Sequence, residues 1–121
     1  MFPMVRDRHV QQVREALSEV WGSAGRRFAT FEDAEDEERF VQYLDGQLNV
    51  AWPFDRSPQD VLRASRVALP GSSFVLAWTP FGTAQIAVGD LLLDDVAALI
   101  VRLLTRVFDA WELEDRVDED R

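Results

Sequence analysis

The stretch from Asp94 to Trp111 contains no glycine or proline. After the opening Asp94-Asp95 its polar residues fall only at Arg102, Thr105, Arg106 and Asp109, steps of three, four and seven. On a helix those steps draw one narrow stripe. Everything else of size is apolar: Val96, Leu99, Ile100, Val101, Leu103, Leu104, Val107, Phe108 and Trp111. A surface helix ordinarily buries one apolar stripe and shows the remainder to water. This one demands cover on two sides. A sheet of the same chain is the expected cover on one side, and a second copy of the chain on the other.

The rest of the chain supplies that sheet. Val10, Val13, Leu17 and Val20 recur at helical spacing, so a helix is expected from about Arg6 to Trp21. Gly22 stands where a helix ends in left-handed backbone, and Ser23-Ala24-Gly25 reads as a linker. Residues 27–31 read as a short strand, and the acidic run 32–38 as a solvated connection, because like charges repel. Residues 39–54 form the clearest hairpin, with Asp45-Gly46 as a type I′ turn. The turn sets Leu44 opposite Gln47, Tyr43 opposite Leu48, Val41 opposite Val50 and Arg39 opposite Trp52. Val41, Tyr43, Leu48, Val50 and Trp52 then share one face. Ser57-Pro58-Gln59-Asp60 opens a helix that runs to about Val67. Phe74-Val75-Leu76-Ala77-Trp78 has few polar groups and is expected to be a strand covered on both faces. Residues 80–82 turn the chain into a partner strand over 84–88, and Asp90 or Asp94 caps the long helix. The order is α-β-β-β-α-β-β-α. It predicts an α+β domain over residues 1–112, with an antiparallel sheet of about five strands and helices packed on it. Residues 113–121 read as a flexible acidic tail.

Composition narrows the function. With 121 residues the chain is one domain by size. A net charge of −9 argues against nucleic acid and anionic membrane as partners. No apolar run approaches the ~20 residues of a membrane span. The first residues, Met1 to Asp7, lack a basic region followed by an apolar one, so no secretory signal is expected. The absence of cysteine excludes disulfides and thiolate chemistry and fits the cytoplasm. Twelve of the 22 acidic residues lie in two segments, 32–38 and 112–120, and all 13 basic residues are arginine.

The order and lengths of these elements resemble the type III secretion chaperone-like and YbjN-like superfamily. The residues that carry the likeness are Arg39-Phe40-Val41-Gln42-Tyr43 entering the central hairpin, Trp78 in the fourth strand, and the apolar final helix. The resemblance covers nearly the whole chain. It implies a sheet flanked by helices, commonly dimeric, without catalysis. The secretion members of that superfamily hold an extended segment of an exported protein; the YbjN-like members have regulatory roles. No residue role transfers individually.

No catalytic constellation emerges. His9 is the only histidine, and a triad or a His-Cys zinc site lacks its partners, so His9 reads as an exposed helix residue. The run 32–38 lacks the spaced ligands, central glycine and closing glutamate of a calcium loop. Asp94-Asp95 read as helix caps, and Gly71-Ser72-Ser73 is not a nucleophile elbow. No phosphate loop is present. No enzyme, cofactor or metal is therefore expected. The expected partner is a protein or peptide, with the chain as a homodimer. Trp52, Phe54, Phe81, Val101, Phe108 and Trp111 are the candidate partner-binding or dimer surface. The alternative is an acidic immunity or inhibitor protein that covers a basic toxin or enzyme, since charge complementarity speeds association.

Overall fold

Asp45 and Gly46 hold left-handed backbone, φ 47° and 78°, as a type I′ turn requires. On that turn close β2 (Asp36–Leu44) and β3 (Gln47–Trp52). Leu44 lies opposite Gln47, Tyr43 opposite Leu48 and Val41 opposite Val50, as the alternation predicts. The ladder stops there, short of the expected Arg39–Trp52 pair; on its other side Trp52 pairs with Gly82. Gly46 has a second constraint. A Cβ added to it would sit 3.1 Å from the Gly89 backbone, so another residue here would be strained in its backbone and would press on Gly89.

The computed structural model describes residues 5–23 and 27–119. The expectations for Met1 to Met4, for Ala24 and Gly25, and for the last two residues fall outside them. Around the central hairpin stand β1 (Arg27–Asp33), β4 (Phe74–Trp78), β5 (Gly82–Ala87) and β6 (Leu113–Glu119). They form one antiparallel sheet in the order β4-β5-β3-β2-β1-β6. Among the described residues three helices accompany it: α1 (Val5–Val20), α2 (Pro58–Ala64) and α3 (Leu93–Arg102). The domain is therefore α+β, with six strands where about five were expected.

The sixth strand is the tail. Leu113 to Glu119 pair residue by residue with β1, from Leu113 opposite Asp33 to Glu119 opposite Arg27. High charge suggested a frayed end, but strand pairing needs only backbone groups, and Leu113 supplies a buried anchor. Gln12 of α1 fixes it further, donating to the Leu113 carbonyl at 2.9 Å and to Asp115 Oδ1 at 2.7 Å. His9 is buried, not exposed. Its Nε2–H donates to the Trp111 carbonyl at 2.7 Å and ties α1 to the approach of β6.

The acidic run 32–38 is folded rather than a solvated connection. Only Ala34 and Glu35 separate β1 from β2. Asp33 Oδ1 accepts from the Glu35 N–H and Asp36 Oδ1 from the Glu38 N–H, both at 3.0 Å. Arg39 answers the charge, with nitrogens 3.6 Å from Asp33 Oδ2 and 3.3 Å from Asp36 Oδ2. A cation across the turn and two self-made acid turns offset the repulsion that composition suggested.

The long C-terminal helix is shorter than its sequence implies. α3 begins after Leu92, with no side-chain cap, so neither Asp90 nor Asp94 performs that role. Asp94 and Asp95 lie in the first turn, where carboxylates suit the helix dipole, and Asp94 also pairs with Arg14 of α1. From Leu103 to Val107 the turn widens to π geometry. The Phe108 N–H then reaches the Leu103 carbonyl and the Ala110 N–H reaches Leu104. Asp109 at φ 60° sends the chain toward β6. Along this element Val96, Ala97, Leu99, Ile100, Val101, Leu103 and Leu104 are all 0% exposed. The two-sided apolar surface is thus sheltered within one chain. Val13, Ala16, Leu17 and Val20 of α1, which packs directly on α3, belong to the same buried cluster as these residues and the apolar face of the sheet. These buried residues leave no apolar side of the helix that requires a second copy of the chain.

α2 begins as expected, with Ser57 Oγ accepting from the Asp60 N–H at 3.2 Å. It ends three residues early, at Ala64, where Arg66 takes φ 56°. Gly22 at φ 78° closes α1 as predicted. Trp21 beside it stacks on Tyr43, ring centroids 5.3 Å apart. Burial pushes the Tyr43 phenol above its ordinary value; a backbone hydrogen bond from Gly46 opposes this and the charge of Asp45 adds to it. The neutral phenol is therefore the form that folding favours. Its contribution is whole below the unfolded value of about 10 and is lost as pH rises through the folded value. Tyr43 is the one tyrosine of the chain. An ultraviolet titration should show its phenolate appearing at higher pH in the native protein than in urea. Coincident curves would disprove the burial effect.

Candidate functional site

The helix layer lies on one face of the sheet, the face of Phe31, Val41, Tyr43, Leu48, Val50, Trp52, Ala84 and Ile86. The opposite face alternates with it and carries Thr30, Gln42, Gln47, Asn49 and Gln85. What distinguishes this sheet is the contrast between its two edges.

One edge is β6, Leu-Glu-Asp-Arg-Val-Asp-Glu. Charged side chains on an edge strand discourage pairing with another chain. The two acid-rich segments, remote in sequence, meet here: Glu32 faces Glu114 across the ladder, and the Ala34 N–H donates to the Glu112 carbonyl. Arg116, 3.4 Å from Glu32, moderates the repulsion.

The other edge is β4, Phe-Val-Leu-Ala-Trp, without a charge or a proline. Its sparse polarity predicted cover on both faces. Instead, among the described residues, it pairs only with β5, and Phe74 and Leu76 are 54% and 50% exposed. An apolar strand and an edge strand awaiting a partner have the same sequence signature, so pattern alone does not separate them. A bulge between Val75 and Ala77 interrupts the ladder at Leu76. Bulges on edge strands re-aim side chains. With six strands spaced ~4.8 Å apart, the two edges lie roughly 24 Å from each other. That is about three Debye lengths at physiological salt, so the acids of β6 hardly reach β4.

Two features flank β4. At its far end the turn to β5 carries Phe81, 73% exposed with φ 56°. Bulky residues seldom hold left-handed backbone unless their surroundings fix it. Here the Phe81 N–H donates to the Phe54 carbonyl at 3.1 Å, and the Gly82 N–H to the Thr79 carbonyl at 3.1 Å. At the near end a groove of about 660 Å³ runs between α2, the segment after it and the first half of β4. Leu62, Val67, Leu69 and Val75 contribute its apolar lining, and Arg63 and Arg66 its charges.

The six residues singled out in the sequence divide three ways. Trp52, Phe54 and Phe108 come together as an internal aromatic cluster. Trp52 meets Phe54 edge-on at 5.0 Å, and Phe54 stacks on Phe108 at 6.2 Å. Trp52 and Phe108 are buried, and the Trp52 indole N–H donates to the Arg56 carbonyl at 2.9 Å. Val101 is core as well. As surface residues Trp52, Val101 and Phe108 are therefore corrected: the chain's own packing uses them. Phe81 is exposed and joins the β4 edge. Trp111 is 77% exposed but lies beside His9 and Gln12, at the acidic edge. Sequence reasoning missed Leu76, Arg63 and Arg66, and read Phe74 as part of a covered strand. One signal was present: no acidic residue stands between Asp60 and Asp90, in a chain that has 22.

Among the described residues no group of three or more histidines, cysteines or acids is placed to hold a metal ion, and no helix is long and apolar enough to cross a membrane. Comparison of the chain with protein-family models, with curated proteins and with solved structures finds no match.

Proposed function

We propose that this chain is a non-catalytic, chaperone-like or regulatory interaction domain of the cytoplasm, and that the β4 edge is where it takes its protein partner as an added strand. The observation that carries this reading is the asymmetry of the sheet. One edge is guarded by five charges in seven residues, and the other carries none while exposing Phe74 and Leu76. Strand addition draws affinity from backbone hydrogen bonds and choice from pockets for alternate side chains. The groove beside Val75 and the exposed Phe81 stand at the two ends of the strand to supply those pockets. The resemblance to secretion chaperones, whose clients lie extended on the protein surface, agrees in kind. A second copy added at this edge would make the homodimer, and it would compete there with such a partner.

The test is selection of a displayed random decapeptide library on the immobilised full chain. Selected sequences should converge on alternating apolar residues, and Leu76→Asp should abolish their binding. Leu76 is half exposed, so that change should alter stability by no more than ~0.5 kcal/mol, measured by urea unfolding. Sequences that fail to converge, or that bind Leu76→Asp equally well, would refute the edge.

A second reading has one observation in its favour. The acid-rich segments converge on a single edge, as an immunity-type protein that covers a basic enzyme requires. Protection of an otherwise sticky edge accounts for the same charges without a partner, and for that reason the β4 reading stands first.

A further inference from the structure

Resting on the β4 reading, we infer that the preferred partner is an extended segment bearing a carboxylate, held by Arg63 and Arg66 while its neighbouring apolar side chain enters the groove. Both arginines are exposed on the groove wall, and neither is paired with a carboxylate among the described residues. Elsewhere Arg14, Arg39 and Arg116 have each found an acid. The imbalance is local and runs against the molecule. The chain carries −9, yet the span from Val61 to Gly89 contains two arginines and no acid.

The backbone holds one of these cations in position. Arg66 sits in left-handed backbone after α2, and its carbonyl accepts from Arg106 Nη1 at 2.8 Å. Arg106 thereby anchors the turn that presents Arg66 beside Val67 and Leu69. Arg63, three residues earlier, lies in the last turn of α2. Each guanidinium offers a planar fork that matches the two oxygens of a carboxylate, as an ammonium does not. The apolar lining between them and β4 asks for an aliphatic or aromatic neighbour. A basic or wholly apolar strand would leave both guanidiniums unanswered. A second copy meeting β4 with its own β4, as a two-fold dimer would, offers no acid either. The occupant that satisfies backbone edge, groove and charge together is a foreign strand of alternating apolar residues with an aspartate or glutamate at one fixed place.

The decapeptides selected on the full chain test this. They should share an acidic residue at one position relative to their apolar pattern. Changing that residue to its amide should weaken binding roughly five- to tenfold, and the difference should shrink in high salt. On the Arg63→Glu, Arg66→Glu double variant the selection should turn to lysine or arginine at that position. A copy of the best peptide methylated on alternate backbone nitrogens should not bind, as strand addition requires. Apolar sequences without a fixed acid, or acid-bearing ones indifferent to the double variant, would overturn the carboxylate inference and leave the edge reading intact. Binding that survives both backbone methylation and Leu76→Asp would overturn the edge reading and this inference with it. A micromolar dimer in sedimentation that Leu76→Asp dissolves would assign the edge to a second copy and overturn the foreign strand.

Discussion

Val101→Glu should leave no folded protein. Val101 is 0% exposed within a single chain, on a helix packed against α1 and within the one buried core. The substitution removes an apolar side chain worth ~1.5–3 kcal/mol of burial. It also adds a carboxylate with no partner, at a cost of about 3–5 kcal/mol. The sum rivals the whole stability of a domain this size, which at ~0.05–0.15 kcal/mol per residue is on the order of 6–18 kcal/mol. The expected result is insoluble expression, or a soluble chain without a cooperative thermal transition. Leu104→Ala provides the graded companion. Leu104 is equally buried, so the truncation should cost about 2–5 kcal/mol and lower Tm by roughly 10–20 °C. A Val101→Glu protein that is folded, soluble and monomeric would mean that this helix face looks outward in solution, as an interface between two copies would.

That helix also shows where sequence reasoning stops. Its excess apolar surface was legible, and the demand for two covers followed correctly from it. The identity of the second cover was not legible. The apolar stripe of α1, Val13-Leu17-Val20, declares only that α1 packs on something; which element it meets depends on the sheet's order. The hairpin at Asp45-Gly46 was readable to the residue because turn chemistry and alternation are both local. The π turn at Leu103 was not, since no glycine or proline marks it. The edge was misread for a related reason. Charge in β6 suggested disorder and apolarity in β4 suggested burial, and both inferences treat each strand alone. Once the two are known to be opposite edges of one sheet, the same residues describe one edge protected against pairing and one left available. Arg63 and Arg66 carry no signal of their own in the sequence, because single arginines in or just after a short helix are ordinary. The absence of acid around them becomes informative only when folding gathers residues 61–89 beside the open edge.

Ending the chain at Glu112 should destabilise the fold by several kcal/mol and make it aggregate, which a flexible tail would not do. β6 contributes buried Leu113 and half-buried Val117, and Gln12 bonds to both Leu113 and Asp115. Burial of one leucine alone is worth ~1.5–3 kcal/mol, and lost hydrogen bonds add ~0.5–1.5 kcal/mol each. A loss on the order of 3–6 kcal/mol follows, with Tm lower by more than about 10 °C. The second consequence is specific to edges. Without β6, the run Phe28-Ala29-Thr30-Phe31 of β1 becomes the free edge of the sheet. Uncharged and rich in β-formers, it invites pairing with other chains. Light scattering should therefore rise with concentration in the truncated protein. A full-length variant with Glu114→Gln, Asp118→Asn and Glu119→Gln separates the two effects. It keeps the ladder and the Leu113 anchor, so its unfolding should stay within ~1 kcal/mol of the native protein. Its edge has lost most of its charge, so it should associate where the native chain does not. If it stays dispersed, repulsion is not what guards β6. If the truncated chain unfolds with an unchanged midpoint, β6 is a frayed tail in solution, and the asymmetry that assigns partner binding to β4 loses one of its two sides.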